Sequence, residues 1–401
     1  MKDISSTGSF IDFTLENFIY VDKTEYIPKL VKLKRVFISR PRRFGKSLTL
    51  DTIATLFETG VEPYFKGTWI YDKWTEPTYP VLRLNFLNFD KNSLEKFNNK
   101  LNSKITEFAE LNHVTSYKEK KEAEDSIDHL LEQLRLENRQ IVILIDEYDC
   151  QMTANINNET LYKQFQEKIK SFYANLKDKF AIKFLGITGV TRLKDVAIFS
   201  VGSDINDITN DSAYSQMIGF TRDEIKKYYI DYLKLAASYE NNCTVDNVTE
   251  AQIESLLDRL AKNYDGYCFD EFYKKKVFST WSVNKFFQSA VSNKFVYFGE
   301  YWYDNGGLPS ILVNYLKTHE LNSFDYLNKE NPITIPVNDF LNPTSLTTIN
   351  QNVLMCQTGY LTLRSALTSG DLTVDLGIPN GEIYKALNRL LAINFYKEGI
   401  Y

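Results

Sequence analysis

The spacing of hydrophobic residues in the first half of the chain predicts strands that alternate with helices. Residues 141–145 are five consecutive apolar residues, which is typical of a strand covered on both faces in a parallel sheet. A helix over residues 48–57 and a polar helical stretch over about residues 92–138 lie between such runs. The pattern therefore predicts an α/β fold, a parallel sheet flanked by helices. Its strands are predicted at residues 36–38, 80–89, 140–149, 179–190 and, as a short fifth, 214–220.

The character of the sequence changes near residues 215–222. Thr221 followed by Glu224 is the capping-box signature of a helix start, and residues 249–264 have the spacing of another amphipathic helix. From about residue 337 the pattern predicts a short helix, a β-hairpin and a final helix, as in a winged-helix-like module. The predicted parts are an α/β core at 8–218, a helical lid region at 219–330 and a winged-helix-like C-terminal module at 331–401.

Composition narrows the class of protein. The chain has 401 residues and a formal net charge of −5, so its overall charge does not favour a nucleic-acid partner, although residues 29–46 form a local basic strip. Its four cysteines form no CxxC pair and its three histidines are scattered, which argues against a zinc site or a disulfide framework. No apolar run approaches the ~20 residues of a membrane span. We therefore expect a cytoplasmic protein with reduced thiols and no membrane partner.

The segment "FISRPRRFGKSLTL" carries the first candidate chemistry. Gly45, Lys46 and Ser47 match the second half of the phosphate-binding pattern G-x-x-x-x-G-K-[ST], but Arg40 stands where its first glycine belongs. The predicted strand before the loop and the predicted helix after it are the context that a phosphate loop needs. We expect Lys46 to reach the β- and γ-phosphates of ATP and Ser47 to bind Mg²⁺. The alternative is a basic surface turn ahead of a helix.

A second motif supports the first. The apolar strand before Asp146 and Glu147 ends in these two carboxylates, and open α/β sheets bind ligands at the carboxyl ends of their strands. We expect Asp146 to hold Mg²⁺ and Glu147 to act as the general base that activates water. The alternative is an acidic turn, but such a strand downstream of the glycine-lysine-serine sequence is seldom accidental.

A third motif, "GITGVTR", follows the fourth predicted strand. A hydroxyl there would lie close to the γ-phosphate or the attacking water. Thr188 is our first choice and Thr191 our second. The alternative is a simple turn at the end of a strand.

These motifs together resemble the AAA-ATPase-like family. The resemblance rests on "YVDKTEYIPKL", "RPRRFGKSL", "LIDEYD", "GITGVTRL" and "YWYDNGGLPSIL", and it extends over nearly all of residues 8–395. It implies that the arginine at position 40 is the family's own version of the loop. It also implies that Tyr20, Val21 and Asp22 help to enclose the adenine, and that Pro309 belongs to a Gly-x-Pro motif of the lid. The implied loop contacts further include Arg42, Arg43, Phe44 and Leu48.

The resemblance implies an ATP-binding, Mg²⁺-dependent P-loop ATPase that couples its nucleotide state to an unknown protein partner or to self-association. One alternative is a switch or scaffold that hydrolyses ATP slowly or not at all. Another is a DNA-handling module, because many members of the family carry a C-terminal domain that resembles PD-(D/E)XK nucleases. We expect that domain to be absent here, which leaves a nucleic-acid partner without support.

Overall fold

The protein is described from a computed structural model. The structure describes residues 1–177, 179–193, 204–304, 309–319, 321, 326, 331–343, 345–367 and 370–398.

A five-stranded parallel sheet forms the centre of the first half. Its order is β2-β3-β4-β1-β5, and helices connect the strands. β4 therefore lies between β1, which leads into the glycine-containing loop, and β3, which ends in Asp146. The strands of this sheet are β1 (Arg35–Ser39), β2 (Val81–Asn85), β3 (Ile141–Asp146), β4 (Ile182–Gly189) and β5 (Asn206–Asp207).

Helices pack around the parallel sheet and also make up most of the regular structure in the second half of the chain. The predicted helix at 48–57 is confirmed as α3, and the polar stretch at 92–138 contains two helices, α4 and α5. The helices of the first part are α1 (Phe10–Leu15), α2 (Ile27–Leu33), α3 (Lys46–Thr59), α4 (Leu94–Leu111), α5 (Ala123–Leu136), α6 (Cys150–Ala154) and α7 (Glu159–Ala174). The remaining helices are α8 (Arg222–Tyr228), α9 (Ile230–Asn241), α10 (Glu250–Tyr264), α11 (Thr280–Asn293), α12 (Tyr301–Asp304), α13 (Ser310–Tyr315), α14 (Val337–Leu341), α15 (Gln351–Gln357) and α16 (Gly381–Glu398).

The predicted fifth strand at 214–220 is wrong. Residues 214–218 form turns, in which the amide of Met217 donates to the carbonyl of Tyr214, and only Phe220 forms an isolated bridge, with Phe278. Tyr214, Met217 and Ile218 are buried without the alternation of a strand, because the turns direct these side chains into the core. The fifth strand is β5, a polar two-residue strand that pairs with β1 and has no hydrophobic signal.

The lid helices have a hydrophobic core of their own. The capping box predicted at Thr221 and Glu224 begins α8, and the helix predicted at 249–264 is α10. α8 to α11 bury their apolar faces in one cluster, which also contains Ile19 and Val21 from the N-terminal segment. The N-terminal segment therefore joins the lid to the sheet.

The C-terminal part contains a three-stranded antiparallel sheet, β6-β8-β7, whose strands are β6 (Ile333–Pro336), β7 (Thr362–Leu363) and β8 (Thr373–Gly377). The predicted hairpin corresponds to β7 and β8, although residues 368 and 369 at its turn lie outside the described residues. β6 was not predicted from the sequence. The name winged helix and the domain limits at residues 218 and 330 stay predictions. In the described part of the chain, no helix combines the length and apolar character that crossing a membrane requires.

Candidate functional site

The glycine-containing loop follows directly from the order of β1 and α3. Gly45 is the residue before α3 and has φ of +103°, a left-handed conformation that other residues rarely adopt. No atom lies within 4 Å of where its Cβ would be, so backbone conformation and not space requires the glycine. The loop therefore leads directly into the N-terminus of a 14-residue helix, whose free N–H groups and dipole favour an anion such as phosphate.

Arg40, at the position of the missing first glycine, is buried beneath the loop and binds backbone carbonyls there. Its side chain is fully buried, and Nη1 donates to the carbonyls of Ser39 at 2.9 Å and Thr209 at 2.6 Å. The guanidinium carbon lies 4.1 Å from the centre of the Phe269 ring. Burial lowers the pKa of Arg40 to about 9. We infer that Arg40 is a structural residue that fixes the start of the loop.

Lys46 is buried at the first position of α3. Its Nζ donates to the carbonyls of Arg40 at 3.0 Å and Pro41 at 3.3 Å, and lies 3.7 Å from a carboxylate oxygen of Glu147. The ammonium group therefore lies inside the curve of the loop, between loop carbonyls and a carboxylate.

The Asp146 carboxylate joins three elements. It accepts hydrogen bonds from the hydroxyls of Ser47 and Thr188, each at 2.6 Å, and from the backbone N–H of Glu147 at 3.0 Å. Ser47 belongs to α3, Asp146 ends β3, and Thr188 belongs to β4, where the pairing of Ile145 with Ile187 brings it beside Asp146. The structure thus brings together the two predicted metal ligands and the first-choice threonine.

Thr191 is hydrogen-bonded to a different carboxylate. Its hydroxyl and backbone N–H donate to Asp149 at 2.6 and 2.7 Å, and both residues are buried. This contact connects the end of β4 to the turn after β3 without reaching Asp146.

Matched substitutions distinguish the two threonines. We expect Thr188→Val to lower ATP turnover at least about tenfold, in addition to any loss of stability, because the hydroxyl positions Asp146 at the site. We expect Thr191→Val to lower the free energy of unfolding by about 1–3 kcal/mol, because it removes a donor from a buried carboxylate. Phosphate release and urea unfolding of both variants measure the two effects. The opposite pattern would make Thr191 the residue of the site.

Glu147 lies at a constrained turn next to Lys46. Its backbone φ is +52°, uncommon for a residue with a side chain, and this turn directs its carboxylate toward the loop. Burial raises the pKa of Glu147, while the charge of Lys46 acts in the opposite direction. A carboxylate with a raised pKa accepts a proton more readily, which suits a general base.

A cavity of about 360 Å³ extends from the loop towards the lid. Tyr20, Val21 and Leu48, which were predicted to contact the nucleotide, line it. Each loop residue from Arg42 to Ser47 does so too, although Phe44 buries its ring against Tyr267 and Trp302. Other lining residues come from distant segments and were not predicted: residues 5–8, Ile218, Gly219, Phe220 and Trp281. Gly219 has a positive φ, a conformation that favours glycine, so its residue type was a local signal in the sequence.

Two predicted nucleotide contacts, Asp22 and Pro309, do not line this cavity, and neither do Asp146 and Thr188. The carboxylate of Asp22 accepts hydrogen bonds from the backbone and hydroxyl of Thr24 and from the backbone of Trp69, so it fixes the N-terminal segment. Pro309 is buried before α13, and its partners Gly307 and Leu308 in the predicted motif lie outside the described residues. Their assignment as nucleotide contacts stays a prediction.

Arg43 connects the loop to the lid. Its carbonyl accepts hydrogen bonds from the Thr280 hydroxyl at 2.9 Å and the Trp281 N–H at 3.3 Å. Its Nη1 donates to the carbonyls of Tyr301 and Trp302, both at 2.9 Å. A change in the loop would therefore act directly on the starts of α11 and α12.

Glu382 extends this connection to the C-terminal part. It lies in the first turn of α16, is buried, and accepts hydrogen bonds at 2.7 Å from the Trp302 N–H and the Ser282 hydroxyl. Burial raises the pKa of Glu382 to about 7, although these hydrogen bonds and the charge of Arg43 lower it.

The titration of Glu382 predicts a pH-dependent stability. Because its pKa rises from 4.5 to about 7 on folding, the stability it contributes is present below pH 4.5 and is lost as the pH rises through 7. The side chain of Glu382→Gln cannot ionise. The unfolding free energy of this variant, relative to that of the wild type, should therefore rise between pH 5 and 8, by up to about 3 kcal/mol. Urea unfolding across this range measures the difference, with the exposed Glu95→Gln as control. Parallel curves for wild type and Glu382→Gln would contradict the prediction.

The chain is similar to one curated protein and, at low identity, to several solved structures. A protein of Azotobacter chroococcum, described as an uncharacterized protein in the vnfD 5′ region, is 28% identical over 394 residues, which span 96% of this chain and 68% of that protein. Among solved structures, a Walker-type ATPase of Pyrococcus abyssi is 13% identical with a TM-score of 0.41, over 92% of this chain and 96% of that one. Cdc6p of Pyrobaculum aerophilum is 12% identical with a TM-score of 0.30, over 94% and 93%.

Because these structural scores and identities are low, the fold rests on the strand order and the loop described above. The model of the AAA-ATPase-like family, described as predicted AAA-ATPase, matches residues 5–199, which include the loop, Asp146, Glu147 and Thr188. The match covers just under half of the chain, so residues 5–199 are similar to the AAA-ATPase-like family. The five-stranded parallel sheet and its glycine-containing loop have the fold of a P-loop ATPase.

Proposed function

We propose that this protein binds ATP with Mg²⁺, hydrolyses it, and uses its nucleotide state to position the lid and the C-terminal part for a protein partner or a second copy. One observation carries the proposal. The hydroxyls of Ser47 and Thr188 converge on Asp146 at 2.6 Å, beside the buried Lys46 and the carboxylate of Glu147.

The residues present fit Mg²⁺. The Ser47 hydroxyl and the Asp146 carboxylate are oxygen donors, and Mg²⁺ in nucleotide sites is held by one or two protein groups together with phosphates and water. In accord with this, the described residues contain no cluster of three or more His, Cys, Asp or Glu side chains that would form an all-protein metal cage. When bound, the ion would neutralise charge on the phosphate oxygens.

The protein groups have separate roles in the proposed reaction. The N–H groups of the loop and of the start of α3 bind the phosphates, and Lys46 neutralises their charge. Glu147 accepts a proton from the water that attacks the γ-phosphate, and Thr188 holds Asp146 in position. The cavity that begins at Tyr20 and Val21 would receive the base and the ribose.

The coupling step rests on Arg43 and Glu382. Arg43 belongs to the loop that would bind phosphate, and it holds α11 and α12 through backbone hydrogen bonds. Glu382 then connects those helices to α16. A loop that moves with the γ-phosphate would shift the balance between two positions of the lid, which is how nucleotide switches act.

ATP titration by calorimetry and phosphate release, each with Mg²⁺ and with EDTA, test the proposal. We expect saturable binding and release of phosphate that both weaken in EDTA. Binding without phosphate release would favour a non-hydrolysing switch, and lack of ATP binding would overturn the assignment of the site.

A further inference from the structure

A second cavity lies at the opposite end of the parallel sheet, and its lining is strongly basic. Its volume is about 720 Å³, and it is formed where β1, β3 and β4 begin, against α2 and residues 73–76. We call it the basic groove. Glu76 is the only acidic residue in its lining among the described residues, against the cations Lys32, Lys34, Arg35, Lys73, Lys179 and Lys183.

Among the residues that the structure describes, three of these cations have carboxylate partners and three do not. Arg35 pairs with Asp204 at 2.8 Å, Lys183 with Glu76 at 2.7 Å, and Lys179 with Asp128. Within the described residues, Lys32, Lys34 and Lys73 form no ion pair, and all three are exposed. Three uncompensated positive charges around a concave surface, in a chain of net charge −5, form a site for an anion.

Aromatic side chains distinguish between anionic ligands. Phe180 lines the groove and leaves 57% of its surface exposed, and Trp74 is a second aromatic residue of the same lining. An acidic peptide needs no exposed ring, whereas the bases of an unpaired strand stack on aromatic faces while lysines neutralise its phosphates. A duplex keeps its bases inside and would leave Phe180 without a partner.

We propose that the basic groove binds single-stranded nucleic acid, with its phosphates on Lys32, Lys34 and Lys73 and a base stacked on Phe180. The site is separate from the nucleotide cavity, since it lies at the amino ends of the strands and the glycine-containing loop lies at their carboxyl ends.

The helix α2 lies between the two sites. Tyr26, Ile27 and Leu30 line the nucleotide cavity, whereas Pro28, Val31 and Lys32 line the basic groove. A strand that binds one side of this helix would alter the packing of the other side. If the proposed ATP binding is correct, each ligand should therefore change the affinity of the other by the same factor.

Fluorescence anisotropy of a labelled oligothymidine with the full chain tests the proposal without ATP, so its outcome does not depend on the proposed ATPase. We expect the triple substitution Lys32→Glu, Lys34→Glu and Lys73→Glu to weaken binding at least about tenfold and to reduce the salt slope by about 2. Phe180→Ala should weaken binding about tenfold. The matched control reverses three exposed lysines elsewhere, Lys96, Lys100 and Lys118.

Three results would overturn the proposal: no oligothymidine binding by the wild type, equal binding by the groove variant and the control, or full displacement by a polyglutamate peptide that binds more tightly. Thermal unfolding of each variant shows whether it is folded, and Phe180→Ala tests the groove without any change of charge. A repeat with ATP present then measures the coupling through α2.

Discussion

Replacement of Glu147 by Gln is expected to lower ATP turnover by about 10²–10³-fold while ATP affinity stays within about threefold of the wild type. The amide keeps the size of the side chain but cannot accept a proton from water. Because burial raises the pKa of Glu147, turnover of the wild type should also fall on acidification at a pH above the ordinary 4.5 of a carboxyl group. Single-turnover phosphate release and calorimetric ATP binding, at several pH values, measure both effects.

The control for this substitution is Glu95→Gln, which makes the same chemical change at an exposed position on α4. It should behave as the wild type in both assays. Turnover that persists in Glu147→Gln at the wild-type rate would show that another group activates the water.

Replacement of Lys46 by Ala is expected to weaken ATP binding by about 10²-fold or more. The buried ammonium is the cation at the centre of the loop, and an alanine there leaves the phosphate charge without its nearest neutralising group. Glu147 would also lose the positive charge beside it, which adds to the repulsion of phosphate. Calorimetric titration with ATP and Mg²⁺ measures the loss.

Lys66→Ala, at an exposed position away from the loop, is the matched control. Urea unfolding of Lys46→Ala separates a loss of affinity from a loss of folding. If Lys46→Ala and Glu147→Gln both bind ATP like the wild type, the assignment of the whole site is wrong.

The parts of the site that follow from local sequence were predictable. The run of apolar residues before Asp146 gives a strand covered on both faces, so its last residue must emerge at the carboxyl edge of the sheet. Thr188 emerges at the same edge because β4 pairs in parallel with β3. Of the two candidate threonines, Thr188 contacts Asp146 and Thr191 contacts Asp149, so the choice of Thr188 for the site stays a prediction.

The parts that depend on distant segments were not predictable. Asp22 lies in sequence beside two cavity-lining residues, but hydrogen bonds to Thr24 and Trp69 turn its carboxylate away from the cavity. The strand β5 is polar and two residues long, so pairing with β1 and not hydrophobicity determines it. Trp281 reaches the cavity only because the lid docks on the carbonyl of Arg43.

The partners of the buried Arg40 guanidinium bear on how long a fragment of this chain must be to fold with an intact loop. One of its two acceptor carbonyls belongs to Thr209 and the ring over it to Phe269, and the Thr209 hydroxyl also accepts a hydrogen bond from the Ser39 N–H. A polypeptide cut after residue 199, where the family match ends, would retain the arginine and lose all of these partners. The start of the loop would then lose the contacts that fix it. We therefore expect the unit that folds with an intact loop to reach beyond Phe269, with the lid region as part of it.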